Sequence, residues 1–264
     1  MIPGISEPTA ARLADLLDRR ATDLRPDALA AREVTLLAAD EPAAARLGVT
    51  CEGGAAPLLI VTDPDRKLGA IRVQAGGPGH VLAFDNARWS GSCFANIRLP
   101  GTDCLLLFGD IGEGYVAIHD LFMRSDGQIL IWGEGATAVG LSVEIEGPGR
   151  AVVIGDDALI SSGVWIRNYD MHAVHDLRSG AQINRPPMDT VIERHVWIGQ
   201  EALLLSCERV GMGGVVGARS VLKGCVPPRV AVGGIPARVL REEVSWGRHP
   251  YGMTASERAA IAAP

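Results

Sequence analysis

Aliphatic residues recur at every sixth position in the second half of the chain. They form two runs, which a polar stretch separates. Neither the 3.6-residue period of an α-helix nor the alternation of a half-buried strand produces this spacing. The positions are Ile154, Ile160 and Ile166, and then Ile192, Ile198, Leu204, Val210, Val216 and Leu222.

Small residues accompany this six-residue repeat. Glycine directly follows the aliphatic residue at several positions, and small or β-branched residues stand four positions after it. One large and one small inward residue per unit fit one face of a triangular coil, in which three units complete a turn. Glycine permits positive φ at the corners of such a coil. The pattern predicts an all-β protein, a parallel β-helix of hexapeptide repeats.

The interruption of the repeat predicts an extruded loop. The spacing between Ile166 and Ile192 is not a multiple of six, and the residues between them are polar and include prolines. Loops that are held by a rigid scaffold often carry functional groups. His172 lies six residues after Ile166, so we expect it near the wall of the coil.

The first half of the chain has a different pattern. Leu13, Leu16 and Leu17 follow a helical spacing, which predicts a short amphipathic helix over 8–21. A second helix is predicted from about Asp27 to Ala39, before the breaker at Pro42. Short β-prone runs separated by Gly, Asp and Pro then predict strands without helices over 57–148.

These patterns together predict three segments. We expect a mainly helical N-terminal segment, a β-helix with one extruded loop, and a small C-terminal extension. Their limits are 1–56, 57–240 with the loop at about 168–189, and 241–264.

Composition narrows the classes of function. The formal net charge of −6 and the absence of a Lys/Arg block argue against affinity for nucleic acid or anionic membranes. The sequence has no apolar stretch long enough to span a bilayer and no apolar run typical of a signal peptide. Five scattered cysteines without a C-x-x-C pair indicate reduced thiols. We therefore expect a cytoplasmic protein that acts on small molecules.

Four stretches between Gly149 and Glu242 resemble the hexapeptide-repeat acyltransferases. The resemblance is strongest to the galactoside and maltose O-acetyltransferases and to their relatives in surface-polysaccharide biosynthesis. It implies a left-handed β-helix that assembles as a homotrimer, with active sites at subunit interfaces. Acetyl-coenzyme A, the implied acetyl donor, would lie along the groove between neighbouring coils. The four stretches are 154–157, 169–176, 195–199 and 233–241.

The resemblance also implies roles for individual residues. The family's catalytic histidine falls on His172, and a neutral imidazole suits removal of a hydroxyl proton near neutral pH. Asp170 or Asp176 could orient this ring, and we expect Asp170 and His175 to contact the acceptor. Lys223 departs from the family's pattern, because Gly224 and Cys225 separate it from Val226 and the paired prolines. The positions implied to line the coenzyme are Trp197, Gln200, Ala218, Lys223, Arg238 and Arg241.

The predicted reaction is direct transfer of an acetyl group to a hydroxyl of a sugar-like acceptor. No serine or cysteine lies in a recognisable nucleophile motif, so a covalent acyl-enzyme is not indicated. The backbone N–H groups near Gly199 and Gln200 are candidate donors to the oxyanion that forms during the attack.

Three alternatives remain open. Related solenoids include N-acyltransferases that act on amino sugars, and other β-helices only bind proteins. The γ-type carbonic anhydrases share the solenoid and hold zinc with three histidines, for which His172, His175 and His195 are the candidates. We expect no metal here, because two of these histidines share an irregular loop.

Overall fold

The computed structural model describes residues 2–18 and 33–262. This part of the chain is a coil of short strands with three helices outside it. The helices are α1 (Glu7–Asp18), α2 (Pro42–Leu47) and α3 (Ala255–Ala262).

Twenty strands are described, and most of them pair in parallel with strands of the next coil. The strands of the first half are β1 (Thr35–Ala38), β2 (Val49–Gly53), β3 (Leu58–Val61), β4 (Gly69–Ala75), β5 (Val81–Phe84), β6 (Ser92–Leu99), β7 (Leu105–Phe108), β8 (Tyr115–Met123), β9 (Ile129–Trp132) and β10 (Thr137–Ile145). Those of the second half are β11 (Ala151–Ile154), β12 (Leu159–Ile160), β13 (Val164–Arg167), β14 (Thr190–Ile192), β15 (Trp197–Ile198), β16 (Leu203–Val210), β17 (Val215–Val216), β18 (Val221–Val226), β19 (Ala231–Gly234) and β20 (Ala237–Arg241).

The coil has three faces, and the six-residue repeat forms one buried aliphatic column inside each of them. Face 1 contains β12, β15, β17 and β19. Face 2 contains β13 and the first halves of β16 and β18. Face 3 contains β11, β14 and the second halves of β16 and β18. The columns are Ile160–Ile198–Val216 on face 1, Ile166–Leu204–Leu222 on face 2 and Ile154–Ile192–Val210 on face 3. This stacking confirms the predicted left-handed parallel β-helix.

The first coils are longer than the last ones. Val81 pairs with Leu105, 24 positions further along the chain, whereas Ile192 pairs with Val210 after 18 positions. The column inside face 3 also changes from aliphatic to aromatic residues in the longer coils. Phe108 stacks on Phe84 with ring centroids 5.0 Å apart and on Trp132 at 5.8 Å. Larger side chains therefore fill the wider interior.

Helix α1 covers the outside of face 3 in these first coils. Its Leu13 and Leu16 are buried against an apolar cluster that is separate from the interior of the coil. This cluster includes Ile60, Leu107 and Ile131 on the outward side of the strands. Strands β5, β7, β9 and β11 are consequently buried on both sides. This explains why they are continuous apolar runs rather than alternating ones.

The N-terminal segment differs in part from the prediction. The first predicted helix is present as α1, but Thr35–Ala38 forms strand β1, which pairs antiparallel with β3. The predicted second helix is therefore wrong at its end, and 27–32 lies outside the described residues. Pro42, interpreted as a breaker, begins helix α2, because a first-turn proline needs no intrahelical partner for its nitrogen. Parallel pairing already begins at β2, before residue 57.

The C-terminal extension folds back along the coil and ends in α3. In the part of the chain that the structure describes, none of the helices is long and apolar enough to cross a bilayer.

Candidate active site

The extruded loop 168–189 leaves the coil at the corner between faces 2 and 3 and forms a short hairpin. Ile183 N–H donates to the Val174 carbonyl at 2.8 Å, and His175 forms an antiparallel bridge with Gln182. Asp176 closes the turn, because its Oδ1 accepts the backbone N–H of Ser179 at 2.7 Å. Hydrogen bonds from Ser179 and Arg178 lower the pKa of Asp176. This carboxylate therefore closes the turn of the hairpin.

His172 lies at the base of this hairpin with an exposed side chain. Its carbonyl oxygen accepts Asn184 Nδ2–H at 2.9 Å. The Oδ1 atom of the same Asn184 side chain accepts the Val174 N–H at 2.8 Å. Asn184 thus ties the two arms of the hairpin together and fixes the backbone on both sides of Ala173. The backbone that carries His172 is therefore fixed, while its imidazole stays open to a ligand.

Asp170 connects the hairpin to the coil. Its Oδ1 accepts Lys223 Nζ–H at 2.8 Å and Ser206 Oγ–H at 3.2 Å. The hydrogen bond from Lys223 is the main reason that the pKa of Asp170 lies below its ordinary value. A groove of about 540 Å³ lies beside this cluster, and Asn184 contributes to its wall. The ammonium of Lys223 is thus committed to the base of the loop.

The other residues implied to line the coenzyme lie on another side of the coil. Trp197, Val215, Ala231 and Arg241 occupy one row across face 1, and Arg238 lies opposite Gly233 at its edge. The adjoining corner between faces 1 and 2 carries two more of them, Gln200 and Ala218. Five of the six predicted residues therefore share this side, here called the coenzyme wall: Trp197, Gln200, Ala218, Arg238 and Arg241.

The coenzyme wall has chemistry that suits a nucleotide thioester. Trp197 is 38% exposed, and Arg238 and Arg241 are both exposed. Among the described residues, neither arginine takes part in a salt bridge. Flat aromatic faces pack well on pantetheine, and free guanidinium groups bind phosphate through charge-assisted hydrogen bonds. The candidate oxyanion donor near this wall is only partly available, because Gly199 N–H already donates to the Val216 carbonyl at 2.7 Å.

His195 lies apart from His172 and His175, at the corner between faces 3 and 1. It is 5% exposed, and its ring contacts Asp157 Oδ2 through Nδ1 at 2.6 Å and the Trp246 carbonyl through Nε2 at 3.0 Å. Within one protomer His195 therefore does not join His172 and His175 around one ion. No group of three His, Cys, Asp or Glu side chains in the described ranges 2–18 and 33–262 is arranged to hold a metal.

One cluster next to the coenzyme wall was not predicted from the sequence. Trp246 and Arg248 of the C-terminal extension contact His195 and Asp157. The sequence near this cluster contains one recognisable motif, the capping box of α3. In it, Thr254 N–H donates to Glu257 and Glu257 N–H donates to Thr254. That motif indicates a helix start, but the contacts with distant coils have no local signature.

Comparisons with known proteins find several acetyltransferases that are similar to this chain in sequence or in structure. The chain is 32% identical over 161 residues to the polysialic acid O-acetyltransferase of Neisseria meningitidis, which covers 61% of this chain and 73% of that protein. It is 32% identical over 100 residues to the galactoside O-acetyltransferase of Escherichia coli strain K12, covering 38% and 48%. The crystal structure of a polySia-specific acetyltransferase matches with a TM-score of 0.55 and 24% identity, over 73% of this chain and 88% of that one. No protein-family model matches.

Proposed function

Because the chain belongs to the hexapeptide-repeat acyltransferases, we propose that it moves an acetyl group from acetyl-coenzyme A to a hydroxyl of a sugar-containing acceptor. The names of the relatives support the transfer of an acetyl group and the sugar-containing acceptor. One is named for polysialic acid and the other for galactosides, and both are named O-acetyltransferases.

His172 is the general base of this reaction. Its imidazole takes the proton of the acceptor hydroxyl as the hydroxyl oxygen attacks the thioester carbonyl, and the coenzyme leaves as its thiol after receiving a proton. Two features support the assignment: the ring is exposed, and Asn184 fixes the backbone that carries it. The reaction needs no metal, because a histidine base activates the hydroxyl and a thiol is a good leaving group.

Arg238 and Arg241 hold the phosphates of the coenzyme, and Trp197 packs against its pantetheine arm. Lys223 acts elsewhere, because its ammonium is bonded to Asp170 at the base of the loop. Asp170 and His175 are then candidates for contacts with the acceptor. His175 has a second task, since its Nδ1 lies 3.3 Å from the Gly180 carbonyl in the hairpin turn.

The observation that carries this proposal is the separation of the two halves of the site in one protomer. His172 belongs to the corner between faces 2 and 3, whereas the coenzyme wall occupies face 1 and the corner between faces 1 and 2. A second copy that sets its coenzyme wall against the extruded loop 168–189, called the histidine loop from here on, unites them, and three copies close a ring. Leu177, 98% exposed at the tip of the hairpin, is an apolar side chain suited to packing against that copy.

The test is an assay of free thiol release from acetyl-coenzyme A. The protein is incubated with galactosides, free sialic acid, polysialic acid and amino sugars, and the products are identified by mass spectrometry. We expect an ester on at least one sugar acceptor. An amide as the main product would contradict hydroxyl transfer, and no acceptor-dependent thiol release with any of these acceptors would contradict the proposed class of acceptor.

A further inference from the structure

The C-terminal strap, defined as residues 242–262, runs back from the last coil along the corner between faces 3 and 1. Val244 N–H donates to the Arg229 carbonyl at 2.9 Å. Further along, Arg248 reaches the earlier coils, with hydrogen bonds to Asp157 and to the Gly135 carbonyl at 3.2 Å. The strap therefore adds side-chain hydrogen bonds to the strand pairing and core packing that join successive coils.

Trp246 is the centre of the strap and is 6% exposed. Its ring stacks on His195 with centroids 4.5 Å apart and planes 9° from parallel. Its Nε1–H donates to the His195 carbonyl at 2.8 Å, and its own carbonyl accepts from His195 Nε2 at 3.0 Å. One hydrogen bond and a stacked contact thus define the orientation of the indole, and the contact to its carbonyl fixes the backbone of Trp246.

The partner of Trp246 is itself held firmly. His195 has φ of 55°, the left-handed backbone of a coil corner, and its Nδ1 lies 2.6 Å from Asp157 Oδ2. Arg248 donates to the other oxygen of Asp157 at 2.6 Å. Burial would raise the pKa of Asp157, but the hydrogen bonds from His195 and Arg248 outweigh burial and lower it. The charged carboxylate therefore links the imidazole to the strap.

Trp246 also contacts Trp197 of the coenzyme wall. The two ring centroids are 6.2 Å apart and the planes are tilted by 47°. Trp197 has one hydrogen bond of its own, from Nε1–H to Ser161 Oγ at 3.3 Å. An exposed indole with a single long hydrogen bond would occupy several rotamers. It would lose this rotamer freedom when a ligand packs against it. The buried ring of Trp246 removes that freedom before the ligand arrives.

We propose that Trp246 is a positioning residue, which holds the Trp197 ring in the orientation that receives the coenzyme. The proposal rests on the proposed function, because it takes Trp197 to be part of the coenzyme wall. Fixing a binding side chain in advance strengthens binding without a new contact to the ligand. The effect of Trp246 therefore falls on coenzyme binding rather than on the chemical step.

Substitution at position 246 tests this role. In the full-length protein, Trp246→Ala raises KM for acetyl-coenzyme A about tenfold while kcat changes less than about threefold. Trp246→Phe restores most of the affinity, because a phenyl ring still packs between His195 and Trp197. Tyr251→Ala is the matched control, since this aromatic residue of the same strap is 99% exposed. We expect the control to leave KM and kcat unchanged.

A double-mutant cycle separates positioning from a general structural effect. If Trp246 acts through Trp197, adding Trp246→Ala to Trp197→Ala raises KM no further. Equal increases in both backgrounds would overturn the proposal, as would an unchanged KM in Trp246→Ala alone. Circular dichroism provides a readout without substrate, since two indoles this close give an exciton couplet that either Trp→Phe variant abolishes. A couplet in a wild-type protein that does not bind acetyl-coenzyme A would refute the proposed function while leaving the ring contact intact.

Discussion

The first and last coils of this β-helix solve the same packing problem in different ways. In the first coils, aromatic rings fill a wide interior and helix α1 covers the outside of face 3. In the last coils, one aliphatic residue per face fills a narrower interior, and outward side chains such as Trp197, Leu203 and Val215 stay exposed or half-buried. The comparison teaches that face 3 of the first coils is buried on both sides, whereas the outer surface of the last coils stays partly open.

The largest effect in this comparison is expected at the histidine loop of the last coils. His172→Asn lowers kcat by roughly 10²–10⁴ because the hydroxyl loses its base. The free energy of unfolding and KM for the coenzyme stay close to their wild-type values, since the ring is exposed and has no structural contact in the hairpin. Steady-state kinetics measure kcat and KM, and thermal unfolding measures the stability.

The control for this prediction is His175→Asn in the same hairpin. Because the His175 ring lies in the turn rather than at the base of the loop, its replacement lowers kcat far less. Wild-type turnover by the His172 variant would eliminate the general-base assignment.

The next effect is expected in the first coils and concerns stability. Phe108→Ala lowers the free energy of unfolding by about 3–5 kcal/mol, because it leaves a cavity between two stacked aromatic rings. The folded fraction should keep its KM and kcat, since no residue of the proposed site lies in this column. Chemical denaturation measures the loss. A Phe108 variant that is stable but has altered KM would show that the two regions are coupled.

The smallest effect is expected in the strap and depends on pH. Backbone N–H groups of Arg248 and Thr254 lower the pKa of Glu257 to about 2. Because the unfolded value is about 4.3, the ionised carboxylate stabilises the strap above that pH, and the contribution is lost as the pH falls through about 2. Limited proteolysis of the strap between these pH values should reveal progressive release. Glu257→Gln should remove most of this pH dependence, and an unchanged profile would contradict the assignment.

The sequence predicted the last coils well because their packing is local and periodic. Ile192, Ile198 and Leu204 repeat every six residues because the coil needs one large inward residue per face. The first coils lie within the predicted β-helix of 57–240 but lack this six-residue pattern, and their turns are 24 residues long, as between Val81 and Leu105, rather than 18. Their apolar runs still predicted strands correctly, since burial on both sides removes polar positions.

The site was less accessible to sequence reasoning than the fold. The resemblance named residues such as His172 and Trp197 and implied sites at subunit interfaces, but it did not give the contacts that hold these residues. The pairing of Asp170 with Lys223 and that of His195 with Trp246 join residues far apart in sequence. Nothing in the local pattern around either residue specifies its partner.

The central claim is that a site forms between the histidine loop of one copy and the coenzyme wall of another. Mixed trimers test it most directly. A His172→Ala chain and a Trp197→Ala/Arg238→Ala/Arg241→Ala chain, with different affinity tags, are produced together and the mixed assemblies are isolated. In a cyclic trimer every mixture of the two chains has one intact site out of three, so activity should return to about one third of the wild-type value. Mixed trimers as inactive as each variant alone would contradict a shared site.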